Sequence, residues 1–306
     1  MKNQRILDIY VRLLNNKIVN RKNLAQEFEV SERTIHRDIS DLRNFMVNLN
    51  MSGEIEYDPK ENGYVLKNED MQKLSNSEIL AVCKILLDSR AFLKDEMMGI
   101  IDKLLKQCIP HENFKKVSQL IDNEKFHYME LQHKKSFIDW LWDIGDAIKN
   151  HNQMEIKYKK MDGTFVTRVV NPVGLMFSEY YFYLLAHIVN IDKEKYFANK
   201  DDIFPTIYRI DRIESFKILP KHFRVFYKDR FEEGEFRKRT FFMTGGRLQK
   251  IKFKYTGHSL EAILDKIPTA EVIEEGDGYY IIKAEVFGNG INRWILSQGK
   301  DVEIIK

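Results

Sequence analysis

The most constraining feature of this sequence is a segment over residues 32–45 whose apolar and polar side chains separate at helical spacing. At about 100° per residue, one face of a helix would hold Ile35, Ile39 and Leu42. The opposite face would carry guanidinium and hydroxyl groups, contributed by Arg33, Arg37 and Ser40 and flanked by Thr34 and His36. Ser31 stands where an N-cap hydroxyl would start the helix. The pattern predicts a helix that packs on one side and presents hydrogen-bond donors to solvent on the other.

The residues around this segment predict a small DNA-binding domain. Helices are expected over residues 5–14 and after Asn20, and a hairpin over residues 54–66. Three helices and a hairpin are typical of a winged helix-turn-helix, here residues 1–66, whose recognition helix enters the major groove of double-stranded DNA. We predict base contacts from Arg33, Thr34, His36, Arg37 and Ser40, and phosphate contacts from Lys17, Arg21, Lys22, Arg43 and Lys60. The alternative is that this charged face is only solvated.

Three further regions follow the predicted winged domain. Residues 67–150 open with a polar linker and a capping box, Ser75 with Glu78, and predict a helical linker and dimerisation region. From Gln153 the apolar period changes to two, and short antiparallel strands predict a small β-barrel over residues 151–219, with the charged insert 190–202 as a loop. Residues 220–306 end in the order β-α-β-β-α-β, typical of a ferredoxin-like domain. The expected fold class is therefore multidomain α+β.

Motifs and composition argue against several functional classes. The chain has no phosphate-binding loop, no dinucleotide-binding fingerprint and no histidines at zinc-ligand spacing, so we predict neither an enzyme nor a cofactor or metal site. The two cysteines exclude a disulfide scaffold, and no apolar run reaches the ~18 residues that span a membrane. We therefore expect a cytoplasmic protein without a membrane partner. A net charge of +3 is too small to indicate nucleic acid by itself.

Several stretches of the chain resemble the bacterial WYL-domain transcriptional regulators. They are SERTIHRDI from Ser31, NPVGLMF from Asn171, FYL from Phe182, YRIDRI from Tyr208 and RWILSQG from Arg293. Phe182 replaces the Trp of the family's name motif and keeps an aromatic ring there. The resemblance covers nearly the whole chain. It implies an N-terminal winged helix, a central Sm-like or SH3-like barrel that senses a ligand, a C-terminal extension domain, a homodimer, and an effector of nucleotide or nucleic-acid type.

Candidate effector-binding residues lie on the predicted barrel strands. Tyrosine rings suit stacking on bases, and guanidinium groups suit pairing with phosphates. We predict that Tyr183, Arg209 and Arg212 bind the effector, with Tyr158 and Arg168 as weaker members. The alternative is structural: the two arginines 209 and 212 would pair with Asp211 or Glu214, and Tyr183 would pack on the barrel core.

The patterns together predict a sequence-specific transcription regulator. Its winged helix would bind operator DNA, and its barrel would bind an anionic effector, either a nucleotide or a single-stranded nucleic acid. A second hypothesis is a constitutive DNA-binding or nucleic-acid-binding scaffold that has no small effector. Titration with nucleotides and short oligonucleotides separates the two hypotheses.

Overall fold

The chain folds into two compact units. The computed structural model describes residues 2–14, 17–49, 51, 53–67, 74–108, 111–191, 204–225 and 230–305. One unit comprises Met1–Leu87 with Met97–His127, and the other comprises Asp88–Glu96 with Tyr128–Lys306. The predicted helical region 67–150 therefore contributes to both units. The architecture is mixed α/β, with an N-terminal helical domain and several antiparallel sheets, none of them closed among the described residues.

The first unit begins with the predicted three helices and hairpin. The helices are α1 (Lys2–Leu14), α2 (Arg21–Glu27) and α3 (Glu32–Asn48), and the hairpin strands are β1 (Glu54–Asp58) and β2 (Gly63–Lys67). The N-cap prediction is confirmed, because the Ser31 hydroxyl accepts a hydrogen bond from the Thr34 amide at 3.2 Å. The core between these elements is apolar, and it includes Ile9, Leu13, Leu24, Ile35, Ile39, Leu42 and Ile55.

Helices dominate residues 74–149. They are α4 (Asn76–Ser89), α5 (Lys94–Cys108), α6 (His111–Phe126) and α7 (Ile138–Lys149). The predicted capping box at the start of α4 is confirmed, since Ser75 N donates to Glu78 Oε2 at 2.7 Å and Glu78 N donates to Ser75 Oγ at 3.2 Å. Hydrogen bonds from the Ser75 backbone and side chain to the carboxylate lower the pKa of Glu78. Most of the predicted polar linker lies outside the described residues.

The central sheet of the second unit has five antiparallel strands. They are β3 (Asn152–Lys159), β4 (Phe165–Ser178), β5 (Tyr181–Ile188), β6 (Thr206–Arg209) and β7 (Ile213–His222). Their order is β6-β5-β4-β3-β7, and α7 packs on the apolar side of the sheet. The predicted insert 190–202 lies, from residue 192 onward, outside the described residues.

The closed barrel expected from the strand pattern is not confirmed. Among the described residues, β6 and β7 are the two edges of an open sheet and are not hydrogen-bonded to each other. β6 has only four residues, and the 3-10 helix Ile210–Arg212 then leads into β7. Closure requires a matching stagger and tilt of both edge strands, which an alternating sequence pattern does not specify.

The C-terminal region forms a second antiparallel sheet, which shares an apolar core with the helices over residues 260–266 and 290–297. Helix α8 (Glu233–Arg239) precedes β8 (Leu248–Tyr255), α9 (Leu260–Lys266), β9 (Glu271–Gly276), β10 (Tyr279–Phe287), α10 (Gly290–Ser297) and β11 (Val302–Ile305). The strand order is β11-β8-β10-β9. The element order agrees with the predicted β-α-β-β-α-β, while the ferredoxin-like assignment stays a prediction. Across the described part of the chain, we find no helix long and apolar enough to cross a membrane.

Candidate functional site

The outer side of α3 carries every residue for which we predicted base contacts. Ile35, Ile39 and Leu42 are buried in the core, as the helical pattern predicts. On the other side, the guanidinium groups of Arg33 and Arg37 are exposed, and neither makes an ion pair or hydrogen bond within the described ranges. His36 is exposed, and Thr34 and Ser40 are half-buried. The two guanidinium groups can therefore offer charged donors to a partner without breaking an internal contact, whereas the Thr34 hydroxyl shares a hydrogen bond with the Ser31 hydroxyl at 2.9 Å.

A buried ion pair that the sequence pattern did not predict fixes α3 against α1. Arg5 Nε lies 2.5 Å from Asp38 Oδ2, and Arg5 Nη2 donates to Asp38 Oδ1 at 3.3 Å. Asp38 is 1% exposed and Arg5 is 9% exposed. The available signal was an acidic residue three positions after the buried Ile35, on the same side of the helix.

Two of the residues predicted to contact phosphates, Arg43 and Arg21, also contact the hairpin. Arg43 Nε donates to the Ile55 carbonyl at 2.8 Å, and the Arg43 guanidinium lies 5.5 Å from the Tyr64 ring centroid. The Arg21 guanidinium lies 6.0 Å from the same centroid. The other three candidates, Lys17, Lys22 and Lys60, have exposed side chains.

In the second unit, Arg209 makes the ion pair that the structural alternative describes. Its Nε and Nη2 donate to the two carboxylate oxygens of Asp211 at 3.0 and 2.8 Å, and its guanidinium lies 3.4 Å from the Tyr181 ring centroid. Asp211 is buried. The Arg209 charge is therefore largely compensated inside the protein, which weakens the prediction that it binds a phosphate.

Tyr183 lies directly opposite Arg209, on the neighbouring strand β5. Its ring is half-buried against an apolar cluster that includes Met176, Leu185 and Phe236. Burial raises the pKa of Tyr183 to about 12, so its hydroxyl stays protonated at neutral pH. Part of the ring is accessible, and this leaves both the stacking role and the packing role open.

The two weaker members, Tyr158 and Arg168, are linked through the buried Tyr208. Arg168 Nη1 donates to the Tyr208 hydroxyl at 3.2 Å, and the Tyr158 and Tyr208 rings meet edge to face with centroids 4.9 Å apart. Burial raises the pKa of Tyr158, while hydrogen bonds with the Arg209 backbone and the Arg212 side chain oppose that rise. Tyr158 thus connects the Arg168 pair to Arg212.

Arg212 is half-buried and lines a cavity of about 620 Å³. The sequence prediction missed the other basic residues there, which are the lysines Lys135, Lys159 and Lys160 and the histidine His133. The signal for two of them was the Lys-Lys pair at 159–160, just before Asp162-Gly163, a dipeptide typical of tight hairpin turns. Lys135 Nζ is engaged, since it donates to the Ile213 carbonyl at 2.8 Å and to Glu214 at 3.2 Å. Within the described residues, Arg212 and Lys159 make no ion pair, so their charges remain available to an anion.

His133 adds no fixed positive charge to this cavity. Burial lowers its pKa, although the nearby Asp211 carboxylate acts in the opposite direction. Its Nδ1 accepts a hydrogen bond from the Lys135 amide at 3.0 Å, and its Nε2 is a buried atom for which no partner is found within the described residues. The neutral imidazole therefore belongs to the wall of the cavity at neutral pH.

Comparisons with known proteins identify two regions of the chain. The HTH domain family matches residues 5–65, and the WYL domain family matches residues 139–218. Both families are regulatory, which points away from an enzyme. No curated protein sequence matches the chain.

Two solved structures show a distant likeness to this chain. The proteasome accessory factor B/C (PafBC) of Arthrobacter aurescens is 16% identical over 99% of this chain and 44% of its own, with a TM-score of 0.29. A CRISPR Cas-related protein is 14% identical over 78% of this chain and 70% of its own, with a TM-score of 0.35. This chain thus spans less than half of the PafBC chain, and neither likeness contributes to the assignment. An HTH domain followed by a WYL domain confirms the predicted resemblance of this chain to the WYL-domain transcriptional regulators.

Proposed function

We propose that this chain is a transcription regulator that binds operator DNA through its winged helix and responds to an anionic effector bound at its WYL domain. The observation that carries the DNA-binding part is the outer side of α3, where two uncompensated arginines lie on a helix held firmly by its buried side. Arg33 and Arg37 are placed to reach guanine edges in the major groove, with Thr34, His36 and Ser40 beside them. The helical region and the ferredoxin-like C-terminal domain support dimerisation and transmit effector binding.

A homodimer reading an inverted repeat is the expected form of DNA recognition. One recognition helix makes few base contacts, so useful specificity needs two. We expect full-length protein, incubated with a pool of random duplexes, to enrich inverted repeats whose half-sites lie ~34 Å or a multiple of that apart. Sedimentation at micromolar protein should show a dimer. A monomer that protects one unrepeated site would contradict this prediction.

The effector is proposed to carry phosphate and, as a nucleotide or single-stranded nucleic acid, a base. The Arg212 cavity supports this because it holds two cationic side chains without ion pairs, Arg212 and Lys159. Phosphate oxygens would accept charge-assisted hydrogen bonds from these groups, with Tyr158 beside them. Arg168, Tyr183 and Arg209 are proposed as further ligands outside this cavity, with the accessible part of the Tyr183 ring offered to a base.

Arg212→Ala should abolish the response to effector while leaving operator binding intact. The proposed effector site and the DNA-binding helix belong to different domains. A coupling free energy of only ~1–3 kcal/mol between the two sites is enough for the effector to regulate operator binding. The measurement is operator affinity of wild type and variant, with and without 5′-phosphorylated nucleotides and short oligonucleotides. Lys116→Ala, an exposed charge change in α6, is the matched control. A variant that responds as wild type does would assign Arg212 a structural role.

A constitutive DNA-binding scaffold without an effector is the second candidate. The bidentate Arg209–Asp211 pair favours it, since one of the predicted phosphate ligands is already satisfied by the protein. In that case no nucleotide or oligonucleotide would change operator affinity of the wild type. The titration of the wild type therefore decides between the two candidates.

A further inference from the structure

A hydrogen-bond relay connects the start of α2 to the tip of the hairpin. The Asn20 side-chain oxygen accepts hydrogen bonds from the amides of Lys22 and Asn23, at 2.9 and 3.2 Å, and so caps α2. The amide nitrogen of the same side chain, Nδ2, donates to the Asn62 carbonyl at 2.6 Å. One side chain therefore satisfies a helix end and holds a turn that lies 42 residues further along the chain.

Several other contacts also fix the conformation of the turn that Asn20 holds. Asn62 has a φ of 50°, a left-handed conformation that Asn tolerates better than most residues, and its Oδ1 accepts a hydrogen bond from the Tyr57 hydroxyl at 2.6 Å. Beside it, Val19 and Tyr64 exchange two backbone hydrogen bonds, at 2.9 and 2.8 Å. A Cβ on Gly63 would lie 2.3 Å from Ile18 Cγ2, so a larger residue there would require the Ile18 side chain to move. The hairpin is thus joined to the segment that precedes α2.

The tip of this hairpin presents a free cation. The Lys60 amide donates to Asp58 Oδ1 at 2.8 Å, which shapes the turn, and the Lys60 side chain is exposed with no ion pair among the described residues. We propose that Asn20 is a positioning residue for DNA binding: it holds the 59–62 turn so that Lys60 meets a backbone phosphate while α3 lies in the groove. This inference rests on the proposed DNA-binding function.

Asn20→Ser separates the two roles of the side chain. Serine caps helices about as well as asparagine, so α2 keeps its cap, but it has no amide to reach the Asn62 carbonyl. We expect affinity for a mixed-sequence duplex of about three helical turns to fall about two- to tenfold, the factor for one lost hydrogen bond, with an unchanged circular dichroism spectrum. Asn3→Ser, the same exchange at an exposed position of α1, should leave affinity unchanged.

Coupling to Lys60 distinguishes positioning from a merely structural role. Lys60→Ala should weaken binding and reduce the salt dependence of the affinity by about one phosphate contact. If Asn20 acts by placing Lys60, Asn20→Ser reduces the salt dependence in the same way. The double variant then loses no more affinity than the more affected single variant does. Independent effects would instead multiply the two losses.

Hydrogen exchange at the Val19 and Tyr64 amides gives a readout that does not use DNA. Loss of the hydrogen bond between Asn20 and the Asn62 carbonyl is expected to speed exchange at these amides in Asn20→Ser, with unchanged protection in α1 and α3. Wild-type affinity for the duplex in Asn20→Ser, or independent effects of Asn20→Ser and Lys60→Ala, would overturn the inference. Failure of the wild type itself to bind duplex DNA would instead overturn the proposed function.

Discussion

Replacing Asp38 by alanine is expected to lower the free energy of unfolding of the winged helical domain by about 3–5 kcal/mol. The substitution leaves the Arg5 guanidinium, which is 9% exposed, without its counter-charge and without the acceptors of its two hydrogen bonds. A buried charge without a partner costs far more than the pair itself contributes, because neither water nor protein then solvates it.

The measurement is urea unfolding of the full-length protein. Hydrogen exchange of the α1 and α3 amides monitors it, so that the transition of this domain is resolved. Asp41→Ala is the matched control, since Asp41 lies three positions after Asp38 on α3 and pairs with Lys2 at 2.8 Å in an exposed ion pair. Exposed pairs contribute at most ~1 kcal/mol. Equal effects of the two substitutions would show that the Arg5–Asp38 pair is not buried in solution.

The Arg33→Ala, Arg37→Ala double variant is expected to lose about 2–6 kcal/mol of specific operator binding, with each single change costing ~1–3 kcal/mol. Both guanidinium groups are exposed and make no contact that the fold needs, so the loss should come from binding alone. Loss of two bidentate base contacts should also reduce the ratio of specific to non-specific affinity, because mixed-sequence DNA is bound through phosphates.

Fluorescence anisotropy at fixed salt, with the selected operator and a mixed-sequence duplex, measures both quantities. Arg293→Ala, an exposed arginine of α10, controls for the loss of one positive charge and should change affinity by less than ~0.5 kcal/mol. Retained specific affinity in the double variant, with an intact fold by circular dichroism, would show that the bases are contacted by a surface other than α3.

Local features of the winged domain were predictable because they depend on neighbouring residues. The spacing of Ile35, Ile39 and Leu42 determines which side of α3 is buried, and Ser31 caps it through a bond to a residue three positions away. The same holds for the capping box at Ser75 and Glu78. Such interactions close within one helical turn, so periodicity and residue type are sufficient to locate them.

The candidate effector site could be predicted only in part. Strand alternation puts residues 181 and 183 on one side of β5, and both tyrosines lie near Arg209 in the structure. The same pattern does not reveal that Arg209 is compensated by Asp211 while Arg212 faces a cavity. The outcome depends on the 3-10 turn at 210–212, in which Asp211 pairs with Arg209 while Arg212 lines the cavity.

The sequence by itself therefore determined the helices, the strands, the caps and the outward side of α3, because these follow from short-range spacing. Only the tertiary structure decided which charges are free. Arg43 donates a hydrogen bond to the Ile55 carbonyl, Arg5 pairs with Asp38, and Arg209 pairs with Asp211. Arg33, Arg37 and Arg212 make no ion pair among the described residues. The physical reason is that the availability of a charge depends on partners supplied by other elements of the fold. With 49 basic and 46 acidic residues, the sequence allows many different ion pairs, and the fold decides which of them form.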